Sequence, residues 1–189
     1  MMKTIITTIF CYLFITSIAQ KKTIHFSNIT NAALLNGSSQ SAFGFQTING
    51  IRIDKWRIGV GVGLDNYGIK SIPLFIDVRK SFGNKKWQPV VYADGGIDYP
   101  LPNDYFSAKT FNGQNVFDFK NKFYGEAGIG INKKITSKLE FNVTLGFSYK
   151  HLSYFEYYYI SYDPYIAGTN YTQKDFYYRR LALRLGVQF

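Results

Sequence analysis

Past its first nineteen residues the chain has no cysteine, because the single one, Cys11, lies in the N-terminal apolar stretch. Disulfides, thiolate metal sites and cysteine nucleophiles are thereby excluded from the remainder. Phe10 stands where a lipoprotein signal would need a small residue, so Cys11 is not a lipidation site either. Two histidines, His25 and His151, leave no room for a histidine-rich metal centre. Beyond residue 19 no apolar run approaches the ~20 residues of a membrane-crossing helix. Mean hydropathy is slightly negative, at -0.13. Helix formers are scarce, which argues against an α or α/β protein.

What is abundant is aromatic: 17 Phe and 16 Tyr, 19% of the chain with the two tryptophans. Combined with plentiful Ile, Val, Thr and Gly, this composition is all-β, with apolar residues spread by alternation rather than in blocks. The N-terminus is a separate object. Met1-Met2-Lys3 is a basic start, Thr4 to Ile18 is apolar, and Ser17-Ile18-Ala19 offers small residues at the peptidase positions. Residues 1–19 read as a secretory signal cleaved before Gln20, leaving residues 20–189 as one domain.

Six segments alternate with period two. In 56–65, Ile58, Val60, Val62 and Leu64 oppose Arg57, Gly59, Gly61, Gly63 and Asp65. In 72–82, Ile72, Leu74, Ile76 and Val78 oppose Phe75, Asp77, Arg79 and Ser81. In 89–99, Val91, Ala93, Ile97 and Tyr99 oppose Tyr92, Asp94, Gly96 and Asp98. The same holds for 123–132 (Phe123, Ala127, Ile129 and Ile131 against Tyr124, Glu126, Gly128 and Gly130) and for 139–150. In 180–189, Leu181, Leu183, Leu185, Val187 and Phe189 stand against Arg180, Ala182, Arg184, Gly186 and Gln188. Residues 41–53 make a seventh strand, and 24–35, the weakest pattern, an eighth.

Short connections (54–55, 83–86, 133–137) alternate with longer ones (36–40, 66–69, 100–118, 152–173). That is the arrangement of a closed antiparallel eight-stranded transmembrane up-and-down β-barrel, with short periplasmic turns and longer outer loops. A soluble antiparallel sandwich or secreted binding barrel has the same period. Its exterior would be dense in Lys and Glu, whereas here the apolar face is nearly free of charge. The other face mixes Arg, Asp, Glu and Gly, which suits a cramped interior.

The segments Phe45 to Gly50, Trp56 to Asp65 and Ile72 to Arg79 resemble small outer-membrane β-barrel domains, similar in architecture to the OmpA/OmpX type. The resemblance implies an outer-membrane location and contact with outer-membrane lipids, lipopolysaccharide and the barrel-assembly machinery. In it the terminal Leu181, Leu183, Leu185, Val187 and Phe189 serve as the assembly signal. The family often has an aromatic where Val187 stands and a glycine where Arg184 stands. Trp56 and Trp87, each just after a short turn, are expected in the periplasmic aromatic girdle.

On the polar face Asp77, Arg79, Asp94, Glu126 and Arg184 fall near mid-height. Charge there is costly against lipid, by several kcal/mol for Arg at the midplane. Inside a barrel these groups pair, so a plugged lumen is expected. Eight strands leave an interior wide enough only for side chains, which excludes a general porin. His151-Leu152-Ser153 looks like the His-x-Ser of lipid A deacylases, with His151 as base and Ser153 as nucleophile. The Tyr154-Phe155 that follows departs from that family, and no catalytic residue, cofactor or metal is assigned. His25 is expected to be structural or solvent-facing. The net charge of +10 points to lipid headgroups rather than nucleic acid in a secreted barrel. Its carriers are Lys55, Lys85, Lys86, Lys133, Lys134 and Lys138 at the short turns, and Lys120, Lys122, Lys174, Arg179 and Arg180 at the outer rim. The tyrosine-rich segment around Tyr157, Tyr158 and Tyr159 reads as a strand extension above the membrane with an aromatic girdle, and alternatively as a rigid amphipathic surface for an unidentified external ligand. Together these features describe a non-enzymatic barrel with a structural or surface-interaction role.

Overall fold

The computed structural model describes residues 23–101, 110–111, 114–115, 117–160 and 168–189, with backbone alone at 110–111, 114–115, 158–160 and 168–170. The signal expected at residues 1–19 lies outside the described residues. The strands are β1 (Ile24–Gly37), β2 (Ser41–Ile53), β3 (Trp56–Asp65), β4 (Ser71–Ser81), β5 (Trp87–Pro100), β6 (Thr110–Phe111), β7 (Gln114–Asn115), β8 (Phe117–Lys120), β9 (Lys122–Lys134), β10 (Glu140–Ile160) and β11 (Gly168–Gln188). The short β6 and β7 pair with each other, and β8 continues the line of β9 by pairing with β10.

Each remaining strand pairs antiparallel with its chain neighbour, and β11 pairs with both β10 and β1. The sheet is therefore a closed eight-stranded barrel with no free edge along its wall. One circuit of the register runs Ser27, Gly50, Gly59, Asp77, Asp94, Glu126, Ser148, Arg180 and back to Gly37 on the starting strand. The return point lies ten residues above the start. With ~3.4 Å rise per residue and ~4.8 Å between strands, this stagger sets a tilt of about 40°. The first strand and the C-terminal residue meet at the short-turn rim, where Asn28 and Phe189 exchange backbone hydrogen bonds of 2.7 and 3.0 Å.

The polarity of the wall is inverted relative to a soluble protein. Ile58, Val60, Val62, Leu74, Ile76, Ile129, Leu145, Phe147, Leu181, Leu183 and Leu185 are exposed outside, while Arg57, Asp77, Arg79, Asp94, Glu126 and Arg184 are buried inside. From Leu139, just before β10, the outward apolar row runs up that strand to Tyr149. At the tilt above, it is about 26 Å tall, the height of an outer-membrane apolar band.

One expectation is corrected and one extended. Residues 152–173 are not a long loop: β10 and β11 continue as a ladder up to Ile160↔Gly168, well above their neighbours. Tyr, Phe and Thr favour extended backbone and stack across such a pair. The first strand, expected at 24–35, runs from Ile24 to Gly37, and its pattern is weak because both faces mix apolar and polar residues: Asn28 and Thr30 fall in step with the outward Phe26, Ala32 and Leu34, and Ser27 and Asn31 are buried on the inner face. Ile29, Ala33 and Leu35 point inward and are buried, Ile29 with Ile48, Phe75 and Tyr124, and Ala33 and Leu35 with Tyr67 and Ala182.

Glycines on the inner face make room for large side chains. Tyr92 lies across Gly128 and Gly146 of the next two strands, and a Cβ on Gly146 would come within 2.2 Å of the Tyr92 hydroxyl. The bare backbone there lets the phenol reach Glu126.

Candidate functional site: the lumen and the outer hairpin

Alternation places every inward side chain of eight strands in one narrow space, so charges on different strands meet. They do so at three levels. Nearest the short turns, Glu140 accepts hydrogen bonds from Arg57 Nη2 at 2.8 Å, Arg52 Nη1 at 3.0 Å and Gln188 Nε2 at 3.1 Å. Arg57 Nη1 also donates to Ser81 Oγ at 3.0 Å, tying β3 to β4.

At the middle level Arg184 forms a two-pronged pair with Glu126, its Nε reaching Oε1 at 2.6 Å and its Nη2 reaching Oε2. Tyr92 and Tyr124 donate to the same carboxylate at 2.7 and 3.2 Å. Arg79 Nε donates to Asp77 Oδ2 at 2.7 Å, and its guanidinium lies 4.8 Å from the Tyr92 ring centre. Asp94 is buried but belongs to none of the ion pairs among the described residues; its neighbour across the β4–β5 register is Asp77.

At the upper level Arg180 bonds Asp65 through Nη1 and Ser148 through Nη2. Lys150 Nζ donates to the carbonyls of Tyr67 at 3.1 Å and Ile69 at 2.8 Å, with Asp65 at 3.5 Å and Asp98 at 3.9 Å. These contacts pull the β3–β4 loop into the mouth. Tyr67 is buried there, 5.5 Å from Tyr178 edge to face, with the Arg180 guanidinium 5.2 Å from its ring centre.

All five lumen residues expected from the sequence face inward, but they do not form one cluster: Arg184 meets Glu126, Arg79 meets Asp77, and Asp94 meets neither guanidinium in an ion pair. Arg52, Arg57, Asp65, Asp98, Glu140, Lys150 and Arg180 complete the set. Arg180 is a correction. Expected at the outer rim, it is buried in the lumen, because it shares the parity of Arg184 rather than that of Arg179. Lys120 and Lys174, also expected at that rim, pair with Asp118 and Glu156, both at 2.7 Å.

Above the barrel the raised β10–β11 ladder stacks on itself. Tyr154 contacts Phe117, Phe119 and Phe176, with ring centres 5.6, 5.1 and 5.7 Å away. Tyr157 lies 6.1 Å from Tyr171, while the side chains of Tyr158 and Tyr159 lie outside the described residues. His151 stacks on Tyr177 at 4.5 Å and its Nε2 contacts Asp175 Oδ1 at 2.9 Å. The hydrogen bond with His151 holds the Asp175 carboxyl below the ordinary aspartate range. Ser153 is fully buried and accepts a 3.4 Å hydrogen bond from Gln173, so serine and imidazole are not arranged around a shared proton. His25 is exposed at the short-turn rim.

Trp56 and Trp87 project outward at the short-turn rim, and Leu181, Leu183, Leu185, Val187 and Phe189 form one outward row on the strand that closes the barrel. An apolar wall of bilayer height around a charged, packed lumen decides the comparison. The fold is that of a small outer-membrane β-barrel. The chain is similar to the crystal structure of Neisserial surface protein A at TM-score 0.52 and 16% identity, covering 87% of this chain and 95% of that one. It is similar to the N-terminal β-barrel domain of Pseudomonas aeruginosa OprF at TM-score 0.51 and 13% identity, covering 86% and 97%. For the outer membrane protein AlkL, solved by solid-state NMR in DMPC bilayers, the values are 0.52 and 10%, covering 90% and 92%. No protein-family model and no curated protein sequence matches the chain.

Proposed function

We propose that this protein is a non-conducting, non-enzymatic barrel of the outer membrane, whose role is structural or lies in surface interaction through its raised hairpin. The observation that carries the reading is the three-level lumen, where each buried guanidinium is spent on a carboxylate of another strand or on its own strand's neighbour. Side chains locked in this way fill the interior that eight strands enclose. The short-turn end and both chain ends face the periplasm, and the hairpin faces outward. Outer-membrane lipids surround the wall, and the barrel-assembly machinery reads the terminal row ending in Phe189.

A lipid A hydrolase built on His151 and Ser153 is the weaker reading. Such a mechanism places the imidazole between hydroxyl and carboxylate, whereas here His151 contacts Asp175 and Ser153 is buried beside Gln173. Reconstitution in planar bilayers tests the main reading: no steady porin-scale conductance is expected, and large stepwise currents would overturn it. Mass analysis of lipid A with and without expression tests the weaker one.

A further inference from the structure

The two tryptophans of the chain occupy equivalent positions. Each opens a strand after a short turn, and each faces an outward lysine directly across the ladder: Trp56↔Lys80 between β3 and β4, and Trp87↔Lys133 between β5 and β9. Lys80 Nζ lies 4.7 Å from the Trp56 ring centre and 5.6 Å from that of Phe82; Lys133 Nζ lies 4.8 Å from the Trp87 ring centre. A ring face covers one side of an ammonium and attracts it, but supplies no acceptor for its remaining protons. Neither lysine belongs to an ion pair among the described residues. Both rings are about half exposed, at 46% and 57%, on the lipid-facing wall. Around them the rim carries Lys55, Lys85, Lys86, Lys134 and Lys138 against one acid, Asp54.

We infer that each tryptophan–lysine pair is a binding site for the phosphate of an anionic phospholipid in the periplasmic leaflet. The inference rests on the outer-membrane reading above. The indole lies among the upper acyl carbons and glycerol, and the ring-held ammonium meets the phosphate at headgroup height. The ring fixes the lysine at one place on the rim, so the paired sites differ from the turn lysines, for which no such ring contact among the described residues holds the ammonium and which contribute a diffuse field. One ammonium near an anionic headgroup enriches that lipid about fivefold over a zwitterionic one.

Because Trp56 and Trp87 are the only tryptophans, intrinsic fluorescence reports on these two sites alone. The full-length barrel is inserted into nanodiscs containing brominated phosphatidylglycerol or brominated phosphatidylcholine at equal mole fraction. Insertion is checked by heat-modifiable gel mobility. The phosphatidylglycerol is expected to quench as if several-fold enriched beside the rings. The double change Lys80→Gln, Lys133→Gln should bring the two lipids close to parity. A charge-matched control, Lys85→Gln with Lys86→Gln, should keep most of the preference. Equal quenching by both lipids in the unchanged protein overturns the inference. A preference that survives loss of the ring lysines, or that disappears equally in the control, overturns it too. A protein that stays soluble and never inserts refutes the outer-membrane reading instead, and the inference falls with it.

Discussion

Arg184 holds Glu126 by two prongs, and Arg184→Leu tests what that pairing is worth. The substitution keeps an apolar side chain of fair size but removes both prongs from Glu126, leaving that carboxylate with the Tyr92 and Tyr124 hydroxyls as donors. Breaking a buried pair from one side costs about 3–5 kcal/mol, and the two phenols place this case near the lower end, about 3 kcal/mol. That is roughly a hundredfold in the folding equilibrium. The assay is a urea titration in lipid vesicles, followed by tryptophan fluorescence. Arg184→Leu combined with Glu126→Leu removes both charges and should recover about half of the loss, since the phenols remain unpartnered. Leu183→Arg, one residue away but facing lipid, should cost roughly 2–4 kcal/mol near mid-bilayer, and no second change in the lumen should rescue it. If Arg184→Leu is within about 0.5 kcal/mol of the unchanged protein, or the double change is no better than the single, the paired-lumen argument fails.

Asp94→Asn should be neutral or slightly stabilising in the same titration, because it removes one of two adjacent acids rather than a partner of a guanidinium; a loss of about 3 kcal/mol would mean that Asp94 carries an essential pair. Gly146→Val should displace the Tyr92 hydroxyl from Glu126 and cost about 1–3 kcal/mol by overpacking; stability equal to that of the unchanged protein would show that the space is not filled. On the outer hairpin, His151→Ala should raise the Asp175 pKa toward the ordinary value, as read by carboxyl-carbon NMR. The sign follows from linkage. A carboxyl whose folded pKa is depressed stabilises above the unfolded pKa, and that contribution is lost as pH falls through the folded one. Local protection of the hairpin amides should therefore weaken on acidification in the unchanged protein and change less in His151→Ala; identical acid profiles would refute this.

The barrel wall was legible because a strand's side chains alternate strictly, so Leu181 and Arg184 disclose opposite faces with no further information. The same parity held the clue to Arg180 and Lys150, which fall in step with Arg184 and Glu140, although adjacent Arg179 invites reading both arginines as rim charges. Who pairs with whom was not legible. Arg184 reaches past β10 to Glu126 on β9, and that choice depends on register and stagger rather than on spacing along one strand. The raised hairpin was legible as a strand extension, but its extent was not, because its tyrosines serve equally well in a ladder or a loop. The first strand was the faintest of the eight because Ile29, Ala33 and Leu35 make its inner face as apolar as its outer one.

The seam between β1 and β11 joins Ile29 to Gln188 and Gly37 to Arg180, so the first strand of the wall waits for the last. Such pairings are slow to form, because nearly the whole chain must be gathered before its ends can meet. Until then the growing sheet presents two unpaired edges, each able to capture a stray strand. Folding of this molecule therefore has a defined final event, the arrival of residues 180–188 beside β1. A chain interrupted at any earlier point has no smaller closed form to settle into.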